Sequence, residues 1–462
     1  MRTVQVRTLG IPKLARLCIG SLSLALLAPG PSTLGAGGAV GSHVADEIII
    51  QFKVEATDAL IAEALRKAAL SVKKFLPARG LPAENSGLLV AKTRLPVADA
   101  LAALEGDPAI ELAEPNFIYT HDATSNDPYY VKRKLWGMYG DATQPANLYG
   151  SQAGEAWAKG NIGSDTVYVG IIDEGVMIQH EDLAANVGTN PGETPDNNVD
   201  DDGNGYTDDV FGWDFWHDDN SVFDAGDSDG CADSHGTHVA GTIGAEGENG
   251  IGVAGVCWNV KFICGKFLGP AGGTTGDAIA AVNYFTNLKS RGVNIVALNA
   301  SWGGGGDSQT LQDAITAAGT AGILFVAAAG NNGADNDVSP HYPAAYDCAN
   351  IISVAAIDSS GRRASFSNWG LTSVDLGAPG VSIYSTVPTY SRKLRAYASG
   401  YAAYSGTSMA TPHVTGAAAL YAASDPNATM AAVKDVILNS AIATPSMSGI
   451  TVTGGRLNVE GF

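Results

Sequence analysis

The sequence YVGIID at residues 168–173 is a continuous apolar run that ends in a carboxylate, Asp173. An apolar run of this length is typical of a parallel strand that is buried on both faces. Four similar runs follow, with helical patterns between them, at residues 260–267, 295–299, 323–328 and 351–355. This alternation predicts an α/β fold with a mostly parallel sheet and helices on both faces.

Three polar residues occupy the positions where such a fold carries its site, at the carboxyl ends of strands or the starts of helices. Asp173 ends its strand, His235 lies in DSHGTHVAG, and Ser408 lies in GTSMATPH. A serine hydroxyl is a poor nucleophile until a base takes its proton. Histidine serves as that base, and a carboxylate fixes its tautomer and stabilises the imidazolium. We therefore predict a catalytic triad.

These motifs, in the order Asp173, His235 and Ser408, resemble those of the subtilisin-like serine proteases. The resemblance extends from about Asp127 to the end of the chain. It implies a subtilisin-like fold and an endopeptidase that hydrolyses peptide bonds through an acyl-enzyme on Ser408. It also assigns Asn331, after AAAG, as the oxyanion donor that acts with the backbone N–H of the nucleophile. Loss of one such donor typically lowers the rate by about 10²–10³.

The sequence NASWGG at 299–304 looks like the family's substrate-pairing strand, to which an extended peptide adds through backbone hydrogen bonds. The pocket for the residue before the cleaved bond then has walls that carry no charge, which favours an apolar or aromatic side chain. Trp302 is bulkier than the family's frequent Leu and is expected to narrow the next pocket outward. The substrate-binding residues implied are Ser301, Trp302, Gly303, Ala328, Ala329 and Gly330.

The acidic insertion at 190–209 contains DDDGNGYTDD, which fits the opening of a calcium loop, D-x-D-x-N-G. Hard oxygen ligands at alternating positions wrap one Ca²⁺, and Gly205 permits the sharp turn. Phe211 stands at the twelfth position instead of Glu, so the loop is not a full EF-hand. A solvated acidic loop without an ion is the alternative. The predicted ligands are Asp200, Asp202, Asn204, the carbonyl of Tyr206, and Asp209.

A second calcium site is implied by the resemblance alone. NGIGV at 249–253 looks like the family's calcium loop after the histidine helix, which a carboxylate matching Asp182, and in some members one matching Asp127, completes. The ligands carried over are Asp127, Asp182, Asn249, Ile251 and Val253. Calcium is the one cofactor predicted.

The first 36 residues are typical of an export signal. Four basic residues precede the uncharged apolar run at 17–27, and small residues follow it. A membrane anchor is the alternative, but the run is short for spanning a bilayer. We expect a signal peptide at 1–36, a propeptide at 37–124 and a subtilisin-like peptidase domain at 125–462, and hence a secreted protein.

Residues 46–119 have the predicted order β-α-β-β-α-β, which indicates a small α+β ferredoxin-like domain. This unit resembles the family's inhibitory propeptide. The resemblance implies an inactive precursor, inhibition by the propeptide within the same molecule, and self-cleavage that leaves a mature start near Ser125. Protein and peptide substrates are the other partners expected.

The net charge of −20 falls entirely after residue 124, because the residues before it hold 12 basic and 12 acidic side chains. This excess of negative charge disfavours nucleic acid and anionic membranes as partners. We expect a monomer. Beyond the signal, four cysteines allow two disulfides in three connectivities, or remain free buried thiols. They are Cys231, Cys257, Cys264 and Cys348.

Glu174 departs from the family, because most relatives carry Thr or Ser after the catalytic Asp. A hydroxyl there would donate to the Asp173 carboxylate, so this chain is expected to lack that bond. A second carboxylate near His235 favours the charged imidazolium and raises its pKa. We therefore expect activity to rise at a higher pH.

Two other classes of protein are alternatives to this interpretation. An α/β-hydrolase lipase or esterase would carry G-x-S-x-G and the chain order Ser, acid, His. Here Ala410 replaces the last Gly, and the order is Asp, His, Ser. The other alternative is a catalytically silent binding protein of the same fold. The presence of all three triad residues and of Asn331 disfavours it.

Overall fold

The computed structural model describes residues 43–76, 87–117, 125–224 and 233–462, which fall into two units on either side of the Thr120–His121 bond. The predicted signal peptide at 1–36 lies outside these residues. Within the described part of the chain, no helix combines the length and the apolarity needed to cross a membrane.

In its described residues, the first unit is a four-stranded antiparallel sheet with two helices. Its elements are β1 His43–Phe52, α1 Asp58–Lys67, β2 Leu70–Leu76, β3 Leu88–Thr93, α2 Val97–Leu104 and β4 Ile110–Phe117. The strand order is β2-β3-β1-β4, and every neighbouring pair is antiparallel. The predicted β-α-β-β-α-β order of a ferredoxin-like domain is therefore confirmed.

The second unit is built on a nine-stranded sheet with the order β14-β15-β11-β10-β9-β8-β5-β7-β6. All neighbouring strands are parallel except β14 and β15. Two further strands, β12 and β13, form an antiparallel hairpin. The strands are β5 Gly163–Asp173, β6 Gly212–Asp214, β7 Asn259–Lys266, β8 Ile295–Ala300, β9 Leu324–Ala328, β10 Ile351–Ile357, β11 Leu376–Pro379, β12 Ile383–Ser391, β13 Ala396–Tyr404, β14 Ile442–Ala443 and β15 Gly455–Arg456.

Seven helices belong to the described part of this unit. Side-chain hydroxyls cap the N-termini of three of these helices. Those of Thr274, Ser308 and Thr429 each accept a backbone N–H of the first turn. The helices are α3 Pro128–Val131, α4 Ala153–Ala158, α5 Ser234–Gly244, α6 Thr275–Ser290, α7 Gln309–Thr320, α8 Thr407–Ser424 and α9 Met430–Asn439.

Alternate residues of the buried strands pack against different helices. In β5, Val169 and Ile171 belong to one core with residues of α5 and α8, whereas Ile172 belongs to a second core with residues of α6 and α7. Successive side chains of a strand point to opposite faces of its sheet. The sheet therefore has helices on both faces, and the predicted fold class is confirmed.

Strand β5 lies where the chain order of the sheet reverses, with β7 on one side and β8 on the other. Loops that leave the carboxyl ends of such strands diverge and open a crevice. Asp173 ends β5, Ser301 follows β8 and Ala328 ends β9, so all three lie along one edge of the sheet.

The three described cysteines, Cys257, Cys264 and Cys348, are buried free thiols. Cys231 lies outside the described residues. Because two disulfides would need all four cysteines, the two-disulfide alternative is excluded.

Candidate active site

The residues of the predicted triad come from three elements that end or begin at the carboxyl edge of the sheet. Asp173 is the last residue of β5, and His235 and Ser408 are the second residues of α5 and α8. The Nδ1 atom of His235 lies 2.8 Å from Oδ1 of Asp173. The hydroxyl of Ser408 donates to the carbonyl of Ser301 at 2.9 Å, and within the described residues no hydrogen bond joins it to His235. The acid–base pair is thus in contact, while the serine hydroxyl has another acceptor.

Glu174 binds the helix that carries the histidine. Its Oε1 accepts the backbone N–H of His235 at 2.6 Å, and its own N–H donates to Oδ1 of Asp173 at 2.8 Å. The other carboxylate oxygen of Asp173 is buried, and no described residue donates to it. This geometry agrees with the expected loss of a hydroxyl donor to Asp173.

Two carboxylates set the titration of His235. Burial by itself lowers the pKa of this imidazole. The charge and hydrogen bond of Asp173, followed by the charge of Glu174, outweigh burial and raise the pKa of His235 to about 9. Burial and the nearby Asp173 raise the pKa of Glu174 in turn. The direction matches the sequence-based expectation for His235.

A buried ion-pair cluster anchors the start of α5 to the sheet. Lys266 ends β7, pairs with Asp173 in the strand register, and is fully buried. Its Nζ lies 2.5 Å from Asp224, 3.3 Å from Asp233 and 3.7 Å from Asp214. Burial lowers the pKa of Lys266, but these three carboxylates outweigh burial and raise it. Because Asp233 immediately precedes α5, the cluster fixes the helix start that carries the histidine.

The two predicted oxyanion donors, the side-chain amide of Asn331 and the backbone N–H of Ser408, lie near one common point beside the serine. Oδ1 of Asn331 accepts the backbone N–H of Thr407 at 2.9 Å and its hydroxyl at 3.0 Å, which leaves Nδ2 as the outward donor. A Cβ built on Gly406 would lie 3.7 Å from that Nδ2 and 3.6 Å from the backbone N of Ser408. The N–H of Ser408 has no acceptor within its own helix, since it is in the first turn. Both donors are therefore available to one oxygen.

The predicted substrate edge continues beyond β8 as exposed backbone. Gly303 is exposed, and within the described residues its N–H and carbonyl make no hydrogen bond. The next residue, Gly304, donates to the carbonyl of Tyr342 at 2.9 Å. An open pair of backbone groups at Gly303 suits the addition of an extended peptide.

Trp302 lines a cavity of about 220 Å³ beside this edge. Its indole N–H donates to the carbonyl of Ile172 at 2.9 Å, and its ring packs edge to face against Phe267 at 4.8 Å. These contacts fix the ring as one wall. The other lining residues include Leu268, Gly273, Thr274, Ala278, Leu311 and Tyr342.

Three acidic side chains cluster at the predicted calcium loop. Single carboxylate oxygens of Glu193, Asp200 and Asp202 lie within 4.8 Å of one another, and Oε2 of Glu193 is buried without a partner among the described residues. Asp209 is fully buried and accepts the hydroxyl of Tyr284 at 2.6 Å. The side-chain amide of Asn204 donates to Asp209, and its Oδ1 accepts the backbone N–H of Tyr206 at 2.7 Å. This oxygen-rich donor set fits calcium.

The residues predicted for the second calcium site also lie together. Asp127 accepts the backbone N–H of Gly250 at 3.0 Å, and Asp182 accepts the amide of Asn249 at 2.9 Å and the N–H of Val253 at 2.8 Å. Asp127 and Asp182 are both fully buried. Burial, with a contribution from Asp127, raises the pKa of Asp182 to about 7. Two buried carboxylates, close enough for the charge of Asp127 to raise the pKa of Asp182, fit a divalent cation. The Ile251 segment closes the loop, since its N–H donates to Asn249.

Two residues near these sites were missed by the sequence analysis. Glu193 precedes the calcium motif by seven residues and matches no position of it. The ring of His341 lies against Gly303 and Gly330, which come from both walls of the predicted substrate pocket. Only the folding of the 329–350 loop brings that ring there, so no local spacing would have indicated it.

Comparisons with known proteins cover both units. A sequence model of the subtilase family matches residues 164–460, and a model of the fervidolysin N-terminal prodomain matches residues 34–116. An extracellular protease of Xanthomonas campestris pv. campestris is 36% identical over 77% of this chain and 60% of its own length. A thermophilic serine proteinase of Bacillus sp. strain AK1 is 34% identical over 84% of this chain and 80% of its own.

Among solved structures, a protease from Pseudoalteromonas arctica matches with a TM-score of 0.55 and 28% identity. The match covers 73% of this chain and 96% of that one. The chain thus spans only 60% of the length of the Xanthomonas relative, but it spans nearly all of this solved chain.

Proposed function

Because the chain belongs to the subtilase family of serine endopeptidases, we propose that it hydrolyses peptide bonds with Ser408 as nucleophile, His235 as base and Asp173 as the orienting acid. The observation that carries the proposal is the contact between Nδ1 of His235 and Asp173 at 2.8 Å, beside a serine at the start of α8. A prodomain precedes the peptidase domain, so the chain is a precursor.

The proposed reaction follows the ordinary chemistry of acyl transfer. Rotation of its hydroxyl away from Ser301 frees Ser408 to give its proton to His235 and attack the peptide carbonyl. The imidazolium that forms is stabilised by Asp173, and it then protonates the leaving amine. Water then takes the place of the departed amine: it gives a proton to His235 and attacks the acyl carbon, and the imidazolium returns the proton to the oxygen of Ser408 as the acid is released.

We assign the developing oxyanion to two donors, Nδ2 of Asn331 and the backbone N–H of Ser408. Support comes from the two hydrogen bonds that Thr407 gives to Oδ1 of Asn331, because they hold the amide in one orientation. Donors fixed before the reaction stabilise the transition state without the cost of reorienting.

The substrate is proposed to pair with the exposed backbone at Gly303 and to place the side chain before the cleaved bond between Ser301–Gly303 and Ala328–Gly330. An apolar or aromatic side chain fits these uncharged walls. We further propose that the next large pocket outward is the cavity beside Trp302. The indole ring of Trp302 narrows this cavity.

Calcium is proposed to stabilise the peptidase domain, not to take part in the reaction. Glu193, Asp200, Asp202, Asn204 and the neighbouring groups at 206 and 209 would hold one ion. The second set, Asp127, Asp182 and the 249–253 loop, would hold another. Each set offers oxygen ligands around buried or converging carboxylates.

The chain is proposed to be a secreted precursor that processes itself. A signal peptide at 1–36 would direct export, in keeping with the extracellular protease named among the relatives. The propeptide at 37–124 would inhibit the domain at 125–462 until the enzyme cleaves itself near Ser125.

Hydrolysis of casein by the purified chain, measured with and without a serine-directed inhibitor, tests the proposed function. We expect release of peptides that the inhibitor abolishes, and mass spectrometry should find the inhibitor bound to Ser408. Hydrolysis that resists the inhibitor, or an inhibitor adduct on another residue, would contradict the assignment. Absence of any hydrolysis by fully processed protein would favour the silent binding protein instead.

A further inference from the structure

His341 lies between the two walls of the proposed pocket. A Cβ built on Gly303 would lie 2.6 Å from Nε2 of His341, and a Cβ built on Gly330 would lie 2.9 Å from its Cγ and Cδ2. Gly303 belongs to one wall and Gly330 to the other. The imidazole ring therefore occupies the space at which the two walls meet, and only residues without a side chain fit on either side of it.

On both walls, the glycine that the His341 ring contacts is linked to a group of the reaction centre. Gly330 is followed directly by Asn331, the proposed oxyanion donor. Ser301, two residues before Gly303, exchanges two hydrogen bonds of 2.9 Å with Ser408. The main chain at Tyr342 holds the segment in place, because its carbonyl accepts the N–H of Gly304. A side chain that enters between the walls thus meets His341.

Within the described residues, the imidazole of His341 has no competing hydrogen-bond partner. His341 is half-buried, and among the described residues no side chain or backbone group hydrogen-bonds to its ring. Burial is the single cause that lowers its pKa, and no carboxylate or basic group of the described chain adds to that effect. The ring nitrogens of His341 are therefore available to a bound substrate. Among the described residues, no charged neighbour alters the protonation of the ring.

We propose that His341 is a specificity-determining residue, which forms the end of the pocket and lets it accept an acidic side chain, glutamate in particular, when the imidazole is protonated. At higher pH the neutral ring leaves an uncharged pocket for apolar side chains. This inference rests on the proposed function, since it assigns a substrate class to the same site. Histidine is suited to the role because its charge changes near neutral pH, and here burial moves that change to lower pH.

The test is a competition between two peptides that differ only in having Glu or Gln before the cleaved bond. The product ratio in one reaction gives the ratio of the two kcat/KM values. Protonation of His235 affects both peptides equally and therefore cancels. We expect the Glu-to-Gln ratio of the wild-type enzyme to rise about tenfold from pH 8 to pH 5, a range in which the substrate glutamate stays largely ionised.

His341→Gln removes the titrating group, so its Glu-to-Gln ratio should stay within about twofold over the same range. His341→Asn provides a second neutral variant. Val338→Ala is the control, because Val338 lies in the same loop, is exposed and does not titrate, so the wild-type pH dependence should stay in place. A flat wild-type ratio, or a ratio that rises equally in both His341 variants, overturns the inference. Hydrolysis of casein without cleavage of either peptide overturns the inference alone, whereas failure to hydrolyse casein as well contradicts the proposed function.

Discussion

The carboxylate of Glu174 accepts a hydrogen bond from the backbone N–H of His235 at 2.6 Å. His235 is the second residue of α5, so this carboxylate lies at the helix N-terminus, where a negative charge is favourable. The same charge faces the imidazole and favours its protonated form. One residue therefore both holds the histidine helix and makes the proposed base harder to deprotonate.

Removal of the charge at Glu174 should shift activity to lower pH. The base must be neutral to accept a proton, so kcat/KM rises as pH passes the raised pKa of His235, about 9. In Glu174→Thr and Glu174→Gln, we expect the midpoint of this rise to fall by about 0.5–1 pH unit. Asp173 contributes more than Glu174, so the midpoint should stay above the ordinary value for histidine. The measurement is the pH profile of kcat/KM on a peptide substrate.

The two Glu174 variants separate charge from hydrogen bonding. Glu174→Gln retains an oxygen that can accept the N–H of His235, whereas Glu174→Thr offers a hydroxyl to the unpartnered Oδ2 of Asp173. Equal shifts in both variants indicate a charge effect. A shift in the Thr variant alone assigns the effect to the new hydroxyl, and unmoved profiles in both contradict the electrostatic account.

Asn331→Ala should lower kcat by about 10²–10³ with little change in KM, because the donor acts on charge that develops in the transition state. The control is Asn332→Ala, because the side chain of Asn332 is exposed and its backbone N–H, which donates to Oδ1 of Asn368, is kept in the variant. Steady-state kinetics on one peptide substrate measure both variants. A loss seen mainly in KM would assign Asn331 to ground-state binding instead.

The sequence alone predicted those features that a short stretch of consecutive residues determines. Buried parallel strands appear as apolar runs, and a strand that ends in Asp173 identifies the edge of the site. His341 and Glu193 were not predicted, because folding brings them to their sites from loops that have no periodic pattern. The hydrogen bond from the Ser408 hydroxyl to the carbonyl of Ser301 could not be predicted either. A hydroxyl can rotate towards any nearby acceptor, and this acceptor comes from a residue that is distant in sequence.

Ser408→Ala should abolish peptide hydrolysis, with a loss of roughly 10⁶ in kcat, the magnitude found when subtilisin loses its nucleophile. If the enzyme cleaves its own precursor, the variant should also accumulate as the full precursor. Electrophoresis and N-terminal sequencing of the product measure this. Ser405→Ala is the control, because Ser405 is close in sequence and its hydroxyl accepts the N–H of Ser382. Normal maturation of the Ser408 variant would show that another protease removes the propeptide.

Calcium removal should destabilise the peptidase domain. A ligand that binds only the folded state stabilises it in proportion to the logarithm of its concentration over Kd. We therefore expect excess EDTA to lower Tm by about 5 °C or more in thermal unfolding. An unchanged melting curve would contradict both proposed sites.

Two variants distinguish the sites. Asp200→Asn weakens the first site and Asp182→Asn weakens the second, so each should retain part of the EDTA response and the double variant should lose it. Asp201→Asn is the matched control, because its carboxylate accepts the N–H of Thr194 and the amide of Asn197 instead of joining the acidic cluster. Its response to EDTA should equal that of the wild type. A response that survives intact in the double variant would place calcium elsewhere in the chain.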